Sequence, residues 1–194
     1  MRLFVGVEIS PHAAAGAAAL IEELRRRAER LAPHARITWI PTERLHITVR
    51  FIGNADDARA EAIRAALEPA VTVAPFDLVL AGSGAFPRSG APRVLWAGVV
   101  ASGASLGGVE REVTARLQQV GVAPEPRGYR PHLTLARIRD AAGLTSSRLC
   151  EGLLDQVVGT TRIETITLFE SRLSPKGPTY VAWQRTPLER VSRA

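Results

Sequence analysis

Seven consecutive residues, Leu45-His46-Ile47-Thr48-Val49-Arg50-Phe51, alternate apolar and polar side chains without a break. Successive side chains of a β-strand point to opposite faces, so this period suits a strand with one face buried and the other open. The buried face predicts Leu45, Ile47, Val49 and Phe51; the open face predicts His46, Thr48 and Arg50. A second segment, Pro131-His132-Leu133-Thr134-Leu135, repeats the pattern. His132 and Thr134 share one face, Leu133 and Leu135 the other. Arg130 falls in phase with His132. Arg137 does not, and on an ideal strand it reaches that face only through a bulge, the strand end or its own length.

The two segments occupy equivalent places in the chain. Strands are predicted over 2–9, 45–52, 76–81, 93–100, 130–138, 163–170 and 179–184, with a short extended piece over 36–40. Helices are predicted over 12–31, 54–68, 105–120 and 145–158; Ser10-Pro11 and Asp56 supply start signals, and Gly121 and Gly159 supply stops. The run 82–92, GSGAFPRSGAP, reads as a loop by composition. The order strand, helix, His-x-Thr strand, helix, strand then occurs twice. The expected fold class is α+β: one domain of two pseudo-repeated halves, 1–90 and 91–194, each with helices on a mostly antiparallel sheet. With four histidines and 13 threonines in 194 residues, one His-x-Thr is within reach of chance. Two in equivalent elements, both flanked by aliphatic residues, are not.

Composition narrows the function. Hydrophobic residues make up 46% and charged residues 23% of the chain, enough for a core and against disorder. The single cysteine, Cys150, excludes an intrachain disulfide framework and reads as a packed thiol. No apolar run approaches the ~20 residues of a membrane span. The apolar start is broken by Glu8, Pro11 and His12 before a signal-peptide core forms. A cytoplasmic protein is expected, with no membrane partner. The net charge is +6, and Lys176 is the only lysine. Arginine suits phosphate recognition, but base composition explains the total, so only particular positions carry weight.

Histidine titrates near neutrality and can accept or donate a proton. Two histidines on facing strands can flank a reacting phosphorus, one taking a proton from the attacking oxygen and one giving a proton to the leaving oxygen. Thr48 and Thr134, about 7 Å along each strand, can hold non-bridging oxygens. An arginine offsets the charge that develops. Two histidines alone make a poor zinc site, and no Asp, Glu or Cys lies in phase beside them. The set is therefore expected to work with no metal and no cofactor.

The paired motifs, together with RLFVGVEI, LHITVRFIG, RVLWAGV, YRPHLTLARI and LFESRLSPKGPTY, resemble the 2H phosphoesterase superfamily. The flanking segments resemble its bacterial LigT-like branch, the RNA 2′,3′-cyclic phosphodiesterases also labelled 2′-5′ RNA ligases. The resemblance implies a bilobed pseudo-twofold fold, with two mostly antiparallel sheets around a central cleft and helices outside. It implies hydrolysis of a 2′,3′-cyclic phosphate on RNA ends or nucleosides to a 2′-phosphate. His46 would be the proton donor to the 3′ oxygen, His132 the acceptor that activates water, and Thr48, Thr134 and Arg137 phosphate ligands. Arg130 and Arg50, in phase with the histidines, are further candidates for substrate binding. Two alternatives stand beside this: 2′-5′ ligation or 2′-5′ phosphodiester cleavage at the same site, and a non-catalytic RNA-end binding module. A monomer is expected, since the cleft forms within one chain. Phe51 is expected in the core by strand phase, Trp39 is a weaker candidate for stacking a base, Tyr129 is expected to be structural, and His12 and His34 are expected on the surface.

Overall fold

The computed structural model describes residues 1–174 and 177–189. Pro175 and Lys176, inside the LFESRLSPKGPTY stretch, and residues 190–194 of the second half lie outside the described residues. In chain order the elements are β1 (Arg2–Glu8), α1 (Pro11–Leu31), β2 (Arg36–Trp39), a 3-10 turn (Thr42–Arg44), β3 (His46–Asn54), α2 (Asp57–Leu67), β4 (Phe76–Phe86), β5 (Val94–Ala101), α3 (Gly103–Gln119), β6 (His132–Asp140), α4 (Ser146–Leu149), β7 (Val157–Ile163), β8 (Thr165–Arg172) and β9 (Thr179–Pro187).

Helix starts follow the caps. Ser10 Oγ accepts from the Ala13 N–H at the head of α1, and Asp56 accepts from the Arg59 N–H at the head of α2. The helices bury one stripe each: Leu20, Ile21 and Leu24 of α1, Ile63 and Leu67 of α2, Leu106, Val109, Val113 and Leu117 of α3. These pack with Leu3, Val5, Val7, Ile47, Val49, Leu133 and Leu135 from one face of the sheet into a single core. The other face, left free of helices, carries the motif histidines.

All nine strands join one curled sheet in the order β7-β4-β5-β6-β3-β1-β8-β9, with β2 also on β6. The two expected sheets are thus arms of one sheet, meeting where β3 and β6 form a single antiparallel pair, Ile47 opposite Leu133. β1 flanks β3 as β5 flanks β6. The outer strands are exchanged: β4, early in the chain, lies beside β5, while β8 and β9, late in the chain, extend the arm of β1.

Two expected elements differ. The predicted loop at 82–92 is strand as far as Phe86. Gly82 and Gly84 serve close approach rather than a turn: a Cβ on Gly84 would lie 2.4 Å from the Trp96 ring, and one on Gly82 would lie 2.1 Å from the Leu154 carbonyl oxygen. The predicted helix at 145–158 shrinks to the single turn of α4. Gly152 adopts φ +70°, and the β-branched Val157 and Val158 enter β7, which pairs with β4.

Candidate active site

Each motif histidine opens its strand, and each is held by the carbonyl two residues before it. His46 Nδ1 lies 2.8 Å from the Arg44 carbonyl, and His132 Nδ1 lies 2.7 Å from the Arg130 carbonyl. A carbonyl only accepts, so Nδ1 carries the proton in both rings and Nε2 is left for substrate. In the antiparallel ladder, the Ile47–Leu133 pair sets His46 alongside Thr134 and Thr48 alongside His132. Ile47 and Leu133 are fully buried, so the four polar side chains share the opposite, open face. Neither threonine hydroxyl has a hydrogen-bond partner among the described residues, leaving both available to a ligand.

The two rings sit in aromatic walls. Phe4 packs on His46 with centroids 4.8 Å apart, and Tyr180 meets it edge-on at 4.9 Å. Phe86 meets His132 edge-on at 5.1 Å. This burial lowers the pKa of both imidazoles, because it penalises the charged form. The Arg137 guanidinium lowers both further, and His132 adds to the effect on His46. The two imidazoles and Arg137 therefore share one electrostatic environment. Beside them a pocket of about 410 Å³ is lined by His46, Arg137, Phe51, Phe4, Tyr180 and Arg2, among others.

Arg137 arrives by a bulge. Along β6, Leu95 of β5 pairs with Ala136 and Trp96 pairs with Thr134, so Leu135 is the extra residue. Leu135 and Ala136 are both fully buried, and Arg137 turns onto the face of His132 and Thr134. The Ile40 N–H donates to the displaced Leu135 carbonyl at 2.9 Å.

The same device on β3 overturns two expectations. β1 pairs Val5 with Arg50 and Gly6 with Thr48, which makes Val49 the extra residue. Val49 and Arg50 are then both buried, and Phe51 turns to the open face, 50% exposed. Arg50 does not line the cleft as expected. It runs beneath β3, 3% exposed, donates to the Ala123 carbonyl and lies 3.5 Å from Glu125. Phe51 is not a core residue but part of the pocket wall. The sequence does carry a sign of the β6 bulge, the apolar doublet Leu135-Ala136, which breaks the alternation; on β3 the charge of Arg50 hides the same break.

Arg130 precedes β6, is exposed, and contributes its carbonyl to His132. Strand phase therefore does not apply to it. Tyr129 is structural as expected: its hydroxyl donates to the Thr48 carbonyl at 3.2 Å. Trp39 packs toward α1, under Arg25. Cys150 is buried, which raises its thiol pKa. No group of three or more His, Cys, Asp or Glu side chains placed to hold a metal ion occurs among the described residues. No helix among them is long and apolar enough to cross a membrane.

These features define a two-histidine site on a bilobed α+β sheet, and comparison with known proteins gives its family. The family model of the 2′-5′ RNA ligase superfamily matches residues 11–174, and the chain belongs to that superfamily. An RNA 2′,3′-cyclic phosphodiesterase of Aeropyrum pernix is 37% identical over 142 residues, 73% of this chain and 80% of the relative. One of Archaeoglobus fulgidus is 29% identical over 93% of this chain and 96% of its own. The crystal structure of the Thermus thermophilus protein TT0787 superposes with a TM-score of 0.73 at 25% identity, covering 98% of this chain and 100% of that one. E. coli LigT, solved with NADP+, shares the fold at a TM-score of 0.68 and 22% identity, covering 97% and 98%.

Proposed function

We propose that the chain is an RNA 2′,3′-cyclic phosphodiesterase that hydrolyses the terminal cyclic phosphate to a 2′-phosphate by paired histidine acid–base catalysis. The observation that carries this is the matched pair of imidazoles. Both are locked as the Nδ1–H tautomer, and they flank one β-pair with Arg137 on their face. The relatives named for the same activity support it.

His132 Nε2 takes a proton from water as its oxygen attacks phosphorus. The bond from phosphorus to the 3′ oxygen breaks, and protonated His46 Nε2 gives its proton to that oxygen. This assignment of donor and acceptor follows the family resemblance, since the two rings are held alike. Arg137 and the hydroxyls of Thr48 and Thr134 hold the non-bridging oxygens, and Arg137 is the charge whose attraction strengthens as the pentacoordinate state forms. Arg137 also disfavours charging of the imidazoles in the free enzyme; a bound anion offsets it and lets His46 take up its proton. The exposed Phe51 ring offers a stacking face to the terminal base.

The test is turnover of a nucleoside 2′,3′-cyclic phosphate, with the product isomer identified and a chelator present. The expected product is the 2′-phosphate, at a rate unchanged by chelator. A 3′-phosphate product or no turnover contradicts the proposal. A 2′-5′ linked dinucleotide run in parallel tests the ligase-type alternative at the same site.

A further inference from the structure

We propose that Arg36, Thr38 and Arg139 extend the site beyond Arg137 as a track for the phosphodiester upstream of the terminal nucleotide, so that the enzyme prefers oligoribonucleotide ends to mononucleotides. This rests on the activity proposed above.

The register places these side chains together. Thr38 of β2 pairs with Arg137 of β6, and Arg36 pairs with Asp140. On β6, Arg137 and Arg139 are exposed on either side of the buried Ile138; on β2, Arg36 and Thr38 are exposed where Ile37 and Trp39 are half-buried. The register shifts between Arg36 and Ile37, which makes Arg139 the extra residue of β6; it is exposed like Arg137, with Arg36 and Thr38 on the neighbouring strand about 4.8 Å to the side. The three arginines face one carboxylate on these two strands, Asp140, whose Oδ1 accepts from the Ala142 N–H. None of the three makes an ion pair among the described residues.

The wall on the β1 and β9 side of His46 is built differently. Around His46 stand Phe4, Phe51 and Tyr180. Farther out Arg185 pairs with Glu8 and Arg172 with Glu170, while Arg2 on the pocket wall makes no ion pair among the described residues. The pocket wall around His46 thus offers π-faces with Arg2 and Arg137 at its margin, and beyond Arg137 stand Arg36, Arg139 and the hydroxyl of Thr38. A nucleotide chain has the same division of chemistry. The terminal base suits the aromatic end, and the charged backbone then leaves toward β2. Arginines that neutralise phosphates bind without reading sequence, and they make binding salt-dependent.

The experiment compares kcat/KM for a trinucleotide ending in a 2′,3′-cyclic phosphate with that for the corresponding mononucleoside 2′,3′-cyclic phosphate, between about 50 and 200 mM salt. Wild-type protein is expected to favour the trinucleotide roughly tenfold at the lower salt. Its log–log salt slope should be steeper than the mononucleotide's by about one. In R36Q/R139Q the preference should collapse to within about twofold, the loss falling on the trinucleotide. A charge-matched control, R30Q/R111Q on α1 and α3, should retain it. The track is overturned if wild-type protein shows no preference, if R36Q/R139Q keeps it, or if the control loses it equally. No turnover of either substrate by wild-type protein instead overturns the proposed activity itself.

Discussion

Strands β3 and β6 pass through the same local events and then part company. Each opens with a histidine held by the carbonyl two residues back, follows with a buried aliphatic and a threonine on the open face, and bulges at the next residue. After the bulge β3 continues Arg50-Phe51 and β6 continues Ala136-Arg137. The position just past the bulge faces the core side, where β6 carries Ala136 and β3 sends Arg50 beneath the sheet to Ala123 and Glu125. The next position faces the cleft, where β3 presents an aromatic ring and β6 a guanidinium. A nearly symmetric backbone thus presents an asymmetric surface, as a substrate with a base on one side and a phosphate on the other requires. An arginine's chemistry here depends on which side of a one-residue bulge it occupies.

The largest effect that can break this comparison is at the histidines, where the strands are alike. His46→Ala and His132→Ala should each lower kcat/KM about 10³-fold, with the melting temperature retained. A loss at only one of them would show that the strands are not equivalent in chemistry. Arg137→Ala should lower kcat about 10²-fold without loss of stability. It should also move the pH–rate profile to higher pH, because its charge lowers the pKa of both imidazoles. An unmoved profile would place Arg137 out of reach of the rings. Phe51→Ala should act mainly on KM, by roughly tenfold, the value of a lost base stack; an unchanged KM would return Phe51 to a merely structural place.

Arg50→Ala should show the reverse pattern to Arg137→Ala. Its kcat should change less than about threefold, while stability falls by about 2–4 kcal/mol, because a filled, buried site is emptied and the Ala123 carbonyl loses its donor. Thermal melts and turnover on the same preparations check it. The smallest effect is linkage. Both folded-state histidine pKa values lie below the ordinary value of about 6.5, so the unfolded chain binds protons first as pH falls. The histidines' contribution to stability is complete above that value and is lost as pH falls toward the folded pKa values. H46A/H132A should flatten the acid side of the stability curve between these limits.

Much of this was legible in the sequence, and the misses share a cause. Period-two alternation located both motif strands, and the cap residues located α1 and α2. On β6 the doublet Leu135-Ala136 marks where the alternation breaks, but on β3 nothing in the pattern does. A bulge adds one residue through long-range pairing, β1 on β3 and β5 on β6, and every residue beyond it changes face. Arg50 and Phe51 were therefore assigned to each other's sides, while Arg137, out of phase on paper, stands in the cleft. Arg130 lies outside this logic, because it precedes the strand whose phase was extended to it. Gly82 and Gly84 read as loop residues because their partners, Leu154 and Trp96, are distant in the chain. The 145–158 helix lost to β7, whose pairing with β4 is likewise long-range.

Acid–base catalysis by this pair requires the two imidazoles to act on one phosphorus in opposite protonation states. The pH dependence of kcat/KM for a 2′,3′-cyclic mononucleotide, measured for wild-type protein, His46→Ala and His132→Ala, tests it most directly. Wild-type protein should give a bell centred on the acid side of about 6.5. The residual rate of His46→Ala should lose the alkaline limb and that of His132→Ala the acid limb. A complete bell in either variant, or loss of the same limb in both, would contradict it.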